Sequence, residues 1–134
     1  MKKQAPEMTE LTRKEEVAKW AKERLSDPKT LILDVETTGL LNQDPKTEVV
    51  SISLINVQGK PVLSALVNPQ RPIPMVSQKI HGIDDRMVKD QPPWFVIGDI
   101  VAGIIHGKHI VAYNAGFDVH MCVTLFQRYK MEIP

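Results

Sequence analysis

The chain has 134 residues, 43% hydrophobic and 25% charged, with a formal net charge of +1. That size supports one domain around one core, and the charge excludes a protein that coats nucleic acid by bulk attraction, though not one with local basicity. A lone cysteine, Cys122, excludes an internal disulfide framework and fits a reducing, cytoplasmic setting.

In chain order, residues 1–10 read as a polar, flexible N-terminus without the apolar stretch of a signal peptide. Lys2, Lys3, Arg13 and Lys14 read as solvated charge. Thr12 with Glu15 makes a capping-box pattern, and Val17, Trp20, Ala21 and Leu25 follow at helical spacing, which predicts a helix stopped by Asp27-Pro28. Thr30 to Glu36 predict a strand, and Asn42 to Lys46 a turn. Glu48 to Val57 and Val62 to Val67 predict two more strands, joined by a hairpin turn at Gln58-Gly59, with Pro61 suited to an edge. Asn68 to Pro74 form a proline-rich loop, and Ser77 to Asp90 short helical turns. Pro92-Pro93 open a helix in which Ile97, Ile100, Val101, Ile104 and Ile105 share one face, and Gly107 ends it. The apolar run from Trp94 to Ile105 is broken by Asp99 and is too short to cross a bilayer. His109 to Tyr113 predict a fourth strand and Phe117 to Tyr129 a last helix. This order argues a mixed α/β sheet with helices on its faces.

Chemistry concentrates at the end of the first strand. Asp34 and Glu36 alternate, so they project to one side, roughly 6.6 Å apart along the backbone. Two carboxylates that close repel each other and resist desolvation. A divalent cation removes that cost, and oxygen donors suit Mg²⁺ or Mn²⁺. On the last helix Asp118 shares a stripe with Cys122, Leu125, Phe126 and Tyr129, which puts an acid on the core face. It meets Asp34 and Glu36 if the fourth strand lies beside the first, at the carboxyl ends of the strands.

Asp34-x-Glu36-Thr37-Thr38-Gly39-Leu40, His81-Gly82-Ile83 and Asn114-Ala115-Gly116-Phe117-Asp118 occur in that order. With them the chain resembles the DnaQ-like 3′–5′ exonucleases of the DEDD superfamily, on the ribonuclease H-like fold, from about residue 12 to residue 130. The His81-Gly82-Ile83 element points to the histidine branch. The resemblance implies that Asp34 bridges two metal ions, that Glu36 ligates one and contacts the terminal ribose, and that Asp118 holds the second ion or its water. It further implies that Thr37, Thr38, Gly39 and Leu40 bind the 3′-terminal nucleotide, with Leu40 as a wedge. Ile83, beside His81, would pack on the terminal base, and Asn114 and Phe117 would shape the second motif. Two ions about 3.5–4 Å apart activate the attacking water and stabilise the leaving oxygen.

Members of that family carry a further strand and a helix with a fourth aspartate and a histidine or tyrosine. This sequence reads as an exonuclease-like domain over 11–134 without them, so a weakly held second ion is expected. His120 points about 200° away from Asp118 on the helix and does not replace the missing histidine. The expected partners are single-stranded DNA or RNA 3′ ends, with a polymerase or a second copy of the chain, joined through an open sheet edge, as further candidates, and no membrane. The competing reading is a catalytically silent module that binds nucleic-acid ends or a polymerase; the retained acids oppose it. A phosphatase with Asp34 as nucleophile ranks last, because such families place an aspartate where Glu36 stands.

Several residues have plainer readings. His106 and His109 flank the helix-ending Gly107 and do not form a metal pair. Trp20, on its apolar stripe, and Trp94 read as packing anchors. His81 divides evenly between a backbone-bonded loop residue and a substrate contact. Cys122 reads as inert core.

Overall fold

The computed structural model describes residues 10–134. Residues 1–9, with Lys2, Lys3 and nearly all of the expected flexible N-terminus, lie outside the described residues. The elements run α1 (Glu10–Ser26), β1 (Thr30–Thr37), β2 (Val49–Asn56), β3 (Pro61–Leu66), α2 (Met75–His81), α3 (Asp85–Val88), α4 (Trp94–Ile105), β4 (His109–Val111) and α5 (Ala115–Arg128). The four strands form one sheet in the order β3-β2-β1-β4. β2 pairs antiparallel with β1 and β3, and β4 lies parallel to β1, so the two segments carrying the expected acids are neighbours. Pro61 starts the edge strand β3, where its missing N–H costs least. Asn56 closes the hairpin by accepting from the Gln58 and Lys60 N–H groups, and Gly59 supplies a φ of 80° there.

β1 alternates as its sequence does. Leu31, Leu33 and Val35 are buried, Asp34 is exposed and Glu36 half-buried. The buried side packs against Met121, Cys122, Leu125 and Phe126 of α5 and Trp94, Ile97 and Val101 of α4. Trp94 meets Phe126 edge-on, with ring centroids 5.4 Å apart. Gly98 belongs to this core because a Cβ there would fall 2.8 Å from Trp94 Nε1 and 2.9 Å from Met131 Cε.

The structure corrects four details. The first helix is already running at Glu10, so Thr12 is not its cap. Its apolar stripe is not covered: Val17, Trp20 and Leu25 are 63%, 50% and 56% exposed, which leaves Trp94 as the tryptophan that anchors the core. Helical spacing shows that a helix has an apolar side, not that something lies on it. Ile100 is 48% exposed, because α4 buries Trp94, Ile97, Gly98 and Val101 instead. The last strand ends at Val111, and Tyr113 stands fully in solvent. Among the described residues no helix is long and apolar enough to cross a membrane.

Candidate active site

Pairing between β1 and β4 covers Thr30 to Ile32 only. Beyond that point the N-terminal turn of α5 comes against β1. Asp118, 6% exposed, accepts a hydrogen bond from the Val35 N–H at 3.1 Å. Its carboxylate therefore sits against the backbone between Asp34 and Glu36. The three acids sense one another. Burial raises the Asp118 pKa, and the charge of Asp34 adds to that rise against the lowering effect of the Val35 N–H. Burial also raises Glu36, with Asp34 and Asp118 pushing the same way and His81 opposing. No lysine or arginine pairs with any of the three among the described residues.

The segment after Glu36 is held at every carbonyl. His81 meets the Thr37 carbonyl at 3.0 Å, the Ser77 hydroxyl donates to the Thr38 carbonyl at 2.7 Å, and the Thr37 hydroxyl donates to the Gly39 carbonyl at 2.6 Å. In the neutral ring, with the Ile83 N–H donating to His81 Nδ1, Nε2–H is the donor to Thr37. The Thr38 N–H donates to the Glu48 carbonyl at 2.9 Å, and the Glu48 N–H donates back to the Thr38 hydroxyl. Preorganisation of this kind is what a loop that must position a reacting group requires.

Of the other expected residues, Leu40, Asn114 and Phe117 line one open cleft of about 460 Å³, together with His120. Thr37 and Thr38 are buried and their hydroxyls are engaged within the protein. Ile83 corrects the expectation of a base-packing residue: it is 7% exposed and packs with Val50, Ile73 and Val88 in a second small core. Its place directly after the left-handed Gly82 turns it inward. For His81 the plainer of its two readings describes the geometry, with both ring nitrogens on backbone. His106 and His109 are exposed, and His109 lies 3.4 Å from Asp27. Cys122 is buried and its thiol is pushed up to about 12, so it is no nucleophile.

Sequence reasoning missed two contributors. Ser77 lies one turn before His81, at i, i+4, so both reach the same loop. Glu48, 7% exposed, accepts from Arg128 Nη1 at 2.7 Å and from the Tyr129 hydroxyl at 2.8 Å. The signal for Glu48 was an acid placed directly before the apolar Val49-Val50.

The acids also bear on cofactor chemistry. All three are hard oxygen donors with no lysine or arginine on them among the described residues, which fits a dication such as Mg²⁺ or Mn²⁺ in kind. Yet among the described residues no three His, Cys, Asp or Glu side chains converge closely enough to form a ready-made cage. The acids fit an open site that an ion would draw together.

The exonuclease family RNase_T matches residues 31–134. The uncharacterized exonuclease CP81 of Escherichia phage 186 is 36% identical over 116 residues, 87% of this chain and 58% of that protein. The DNA polymerase III subunit epsilon of Rickettsia conorii is 33% identical over 101 residues, covering 71% of this chain and 43% of that protein. The chain thus spans only about half the length of these relatives. Among solved structures, exonuclease X in complex with 5′ overhanging duplex DNA matches with a TM-score of 0.51 at 34% identity, over 69% of this chain and 52% of that one. Escherichia coli exonuclease I in complex with a dT13 oligonucleotide matches with a TM-score of 0.65 at 16% identity, over 77% of this chain and 24% of that one, a likeness of fold. The mixed sheet with flanking helices is that of the ribonuclease H-like exonucleases. The chain belongs to the RNase_T exonuclease family, within the DnaQ-like group of the DEDD superfamily.

Proposed function

We propose that this chain carries the metal-dependent catalytic site of a 3′–5′ exonuclease that hydrolyses phosphodiester bonds at nucleic-acid 3′ ends. The observation that carries this reading is the Asp118 carboxylate bonded to the Val35 N–H, between Asp34 and Glu36. Divalent ions, Mg²⁺ or Mn²⁺, held by these acids would lower the pKa of the attacking water and neutralise charge on the phosphoryl group and the leaving oxygen. Asp34, Glu36 and Asp118 supply the negative oxygens, and their mutual repulsion favours a bound cation. The bonds to the Thr37, Thr38 and Gly39 carbonyls fix the chain directly after Glu36. The neighbouring cleft has the size of a small-ligand pocket, with Leu40 and Phe117 as apolar surface for a terminal nucleoside and Asn114 as a polar contact. DNA is the favoured polymer, because exonuclease X and exonuclease I were each solved with DNA. Association with a polymerase is a further part of the reading, prompted by the epsilon-subunit relatives.

The test is a 5′-labelled single-stranded DNA oligonucleotide incubated with Mn²⁺, with the wild type compared against Asp34→Ala at matched circular dichroism. A ladder that shortens from the 3′ end, reduced by more than ~100-fold in the variant, is expected, beyond the 10–100-fold typical of losing an outer-shell partner. Undiminished cleavage by Asp34→Ala contradicts the reading. Binding of the strand without any cleavage favours an end-binding module instead.

A further inference from the structure

We propose that Glu48, Arg128 and Tyr129 are positioning residues for Asp118, a role that rests on the reading of Asp118 as part of the catalytic site. They form one connected unit between the loop after β1 and the far end of α5. The Glu48 carboxylate takes hydrogen bonds from Arg128 and Tyr129, at the C-terminal end of the helix, while its own backbone is bonded twice to Thr38. Arg128 also donates to the Thr47 carbonyl at 2.8 Å and the Pro45 carbonyl at 2.6 Å. The planar guanidinium thus grips three acceptors from one short segment, which fixes the rotation of α5 about its axis as well as its distance from the sheet.

Asp118 lies ten residues up the same helix, about 15 Å away at the usual rise. Its own hold on the strand is the single bond to the Val35 N–H. A helix anchored at one end only by apolar side chains can rotate or slide slightly while keeping its core buried, since apolar contact has no direction. A 1 Å misplacement at a reacting group is costly in catalysis. The directional anchor at Glu48 removes that freedom. The anchor also bonds the loop that carries Thr38, two residues beyond Glu36, so a shift of either partner is transmitted to the other.

Amide hydrogen exchange of Val35, followed by NMR without metal or substrate, tests this directly. A merely structural role would lower the protection of all slowly exchanging amides together. A positioning role loosens the Val35 amide selectively. In the volume-matched pair Glu48→Leu with Arg128→Met, Val35 exchange is expected to rise roughly 10-fold or more, as loss of a bond to a charged group implies, while β2 amides stay as in the wild type. Arg128→Lys, which keeps the charge but not the fork, is expected to loosen Val35 as well and serves where the double variant does not fold. Glu48→Gln retains an oxygen acceptor and is expected to keep Val35 protected within about 3-fold. In parallel, the Mn²⁺ dissociation constant should rise about 10-fold in Arg128→Lys. Val35 protection unchanged in folded Arg128→Lys overturns the proposal. A wild type that neither binds Mn²⁺ nor cleaves DNA overturns the exonuclease reading instead, with Val35 exchange still reporting on the helix.

Discussion

Two groups of carboxylates lie at the carboxyl end of β1, and they are built in opposite ways. Glu48 has a guanidinium and a phenol on one oxygen. Asp34, Glu36 and Asp118 have each other, the backbone N–H groups that reach Asp118, that of Val35 foremost, and the partial help of His81. A fold that can neutralise Glu48 so fully does not lack the means to do the same a few residues away. Like charges left together cost stability, and their persistence beside a compensated neighbour supports the proposed reading of them as held for a ligand. On the proposed reading, the compensated acid serves geometry and the uncompensated ones serve chemistry.

The largest effect that would break this contrast is on Glu48. Glu48→Ala leaves Arg128 largely buried beside two carbonyls with no counter-charge, and is expected to cost about 3 kcal/mol of unfolding free energy. Urea denaturation at neutral pH measures it, and a loss within a few tenths would mean that Glu48 is no anchor. The paired Glu48→Leu with Arg128→Met should be far milder, because both charges leave together.

A smaller effect of the opposite sign is expected at the uncompensated acids. Glu36 and Asp118 have raised pKa values in the folded state, so the native protein holds their protons more tightly than the unfolded chain. Their contribution to stability is therefore best below the unfolded value near 4 and is lost as pH rises through the folded pKa. Asp118→Asn keeps an oxygen for the Val35 N–H and removes the charge. It is expected to raise the melting midpoint at pH 7 and not at pH 3, while abolishing cleavage. Asp44 supplies the contrast: its pKa is lowered, chiefly by the Lys46 N–H with Arg71 assisting, so its stabilising share is present at pH 7 and fades on acidification. An Asp118→Asn protein that melts lower at pH 7 would remove the case for stored repulsion.

How far these groups could be read from sequence depends on the kind of signal each leaves. The element order was legible, because β periodicity and the turn residues are local, whereas the neighbouring of β1 and β4 stood in the sequence only as a condition for the acids to meet. Asp118 was legible because an acid inside the stripe of Cys122, Leu125 and Phe126 conflicts with its surroundings. That Asp34 and Glu36 share one side of β1 was legible from their spacing at the end of an apolar run. The Glu48 anchor was not, since its partners lie some eighty residues on, and nothing local to Arg128 distinguishes it from a helix-end cation favoured by the dipole. The exposed face of α1 was misjudged for a related reason: Val17, Trp20 and Leu25 have the right spacing, but coverage by another element is a tertiary fact. Ile83 was assigned to substrate by its motif, whereas the left-handed turn at Gly82 directs it into its own small core.

The smallest effect sharpens the comparison most, because it isolates one bond. The Tyr129 hydroxyl is pushed up to about 12 by burial and then by its bond to the Glu48 carboxylate. Tyr129→Phe removes that donor, leaves Arg128 on Glu48, and is expected to cost about 1 kcal/mol at pH 7. A phenol with a raised folded pKa favours the neutral form, so its stabilising share is full below the unfolded value near 10 and declines as pH climbs toward 12. The difference between wild type and Tyr129→Phe should therefore shrink across that alkaline range. If the phenolate absorbance lost in Tyr129→Phe develops near the unfolded value instead, the Glu48 carboxylate is not held in the bond drawn here, and the distinction between a satisfied acid and the unsatisfied ones beside it loses its clearest support.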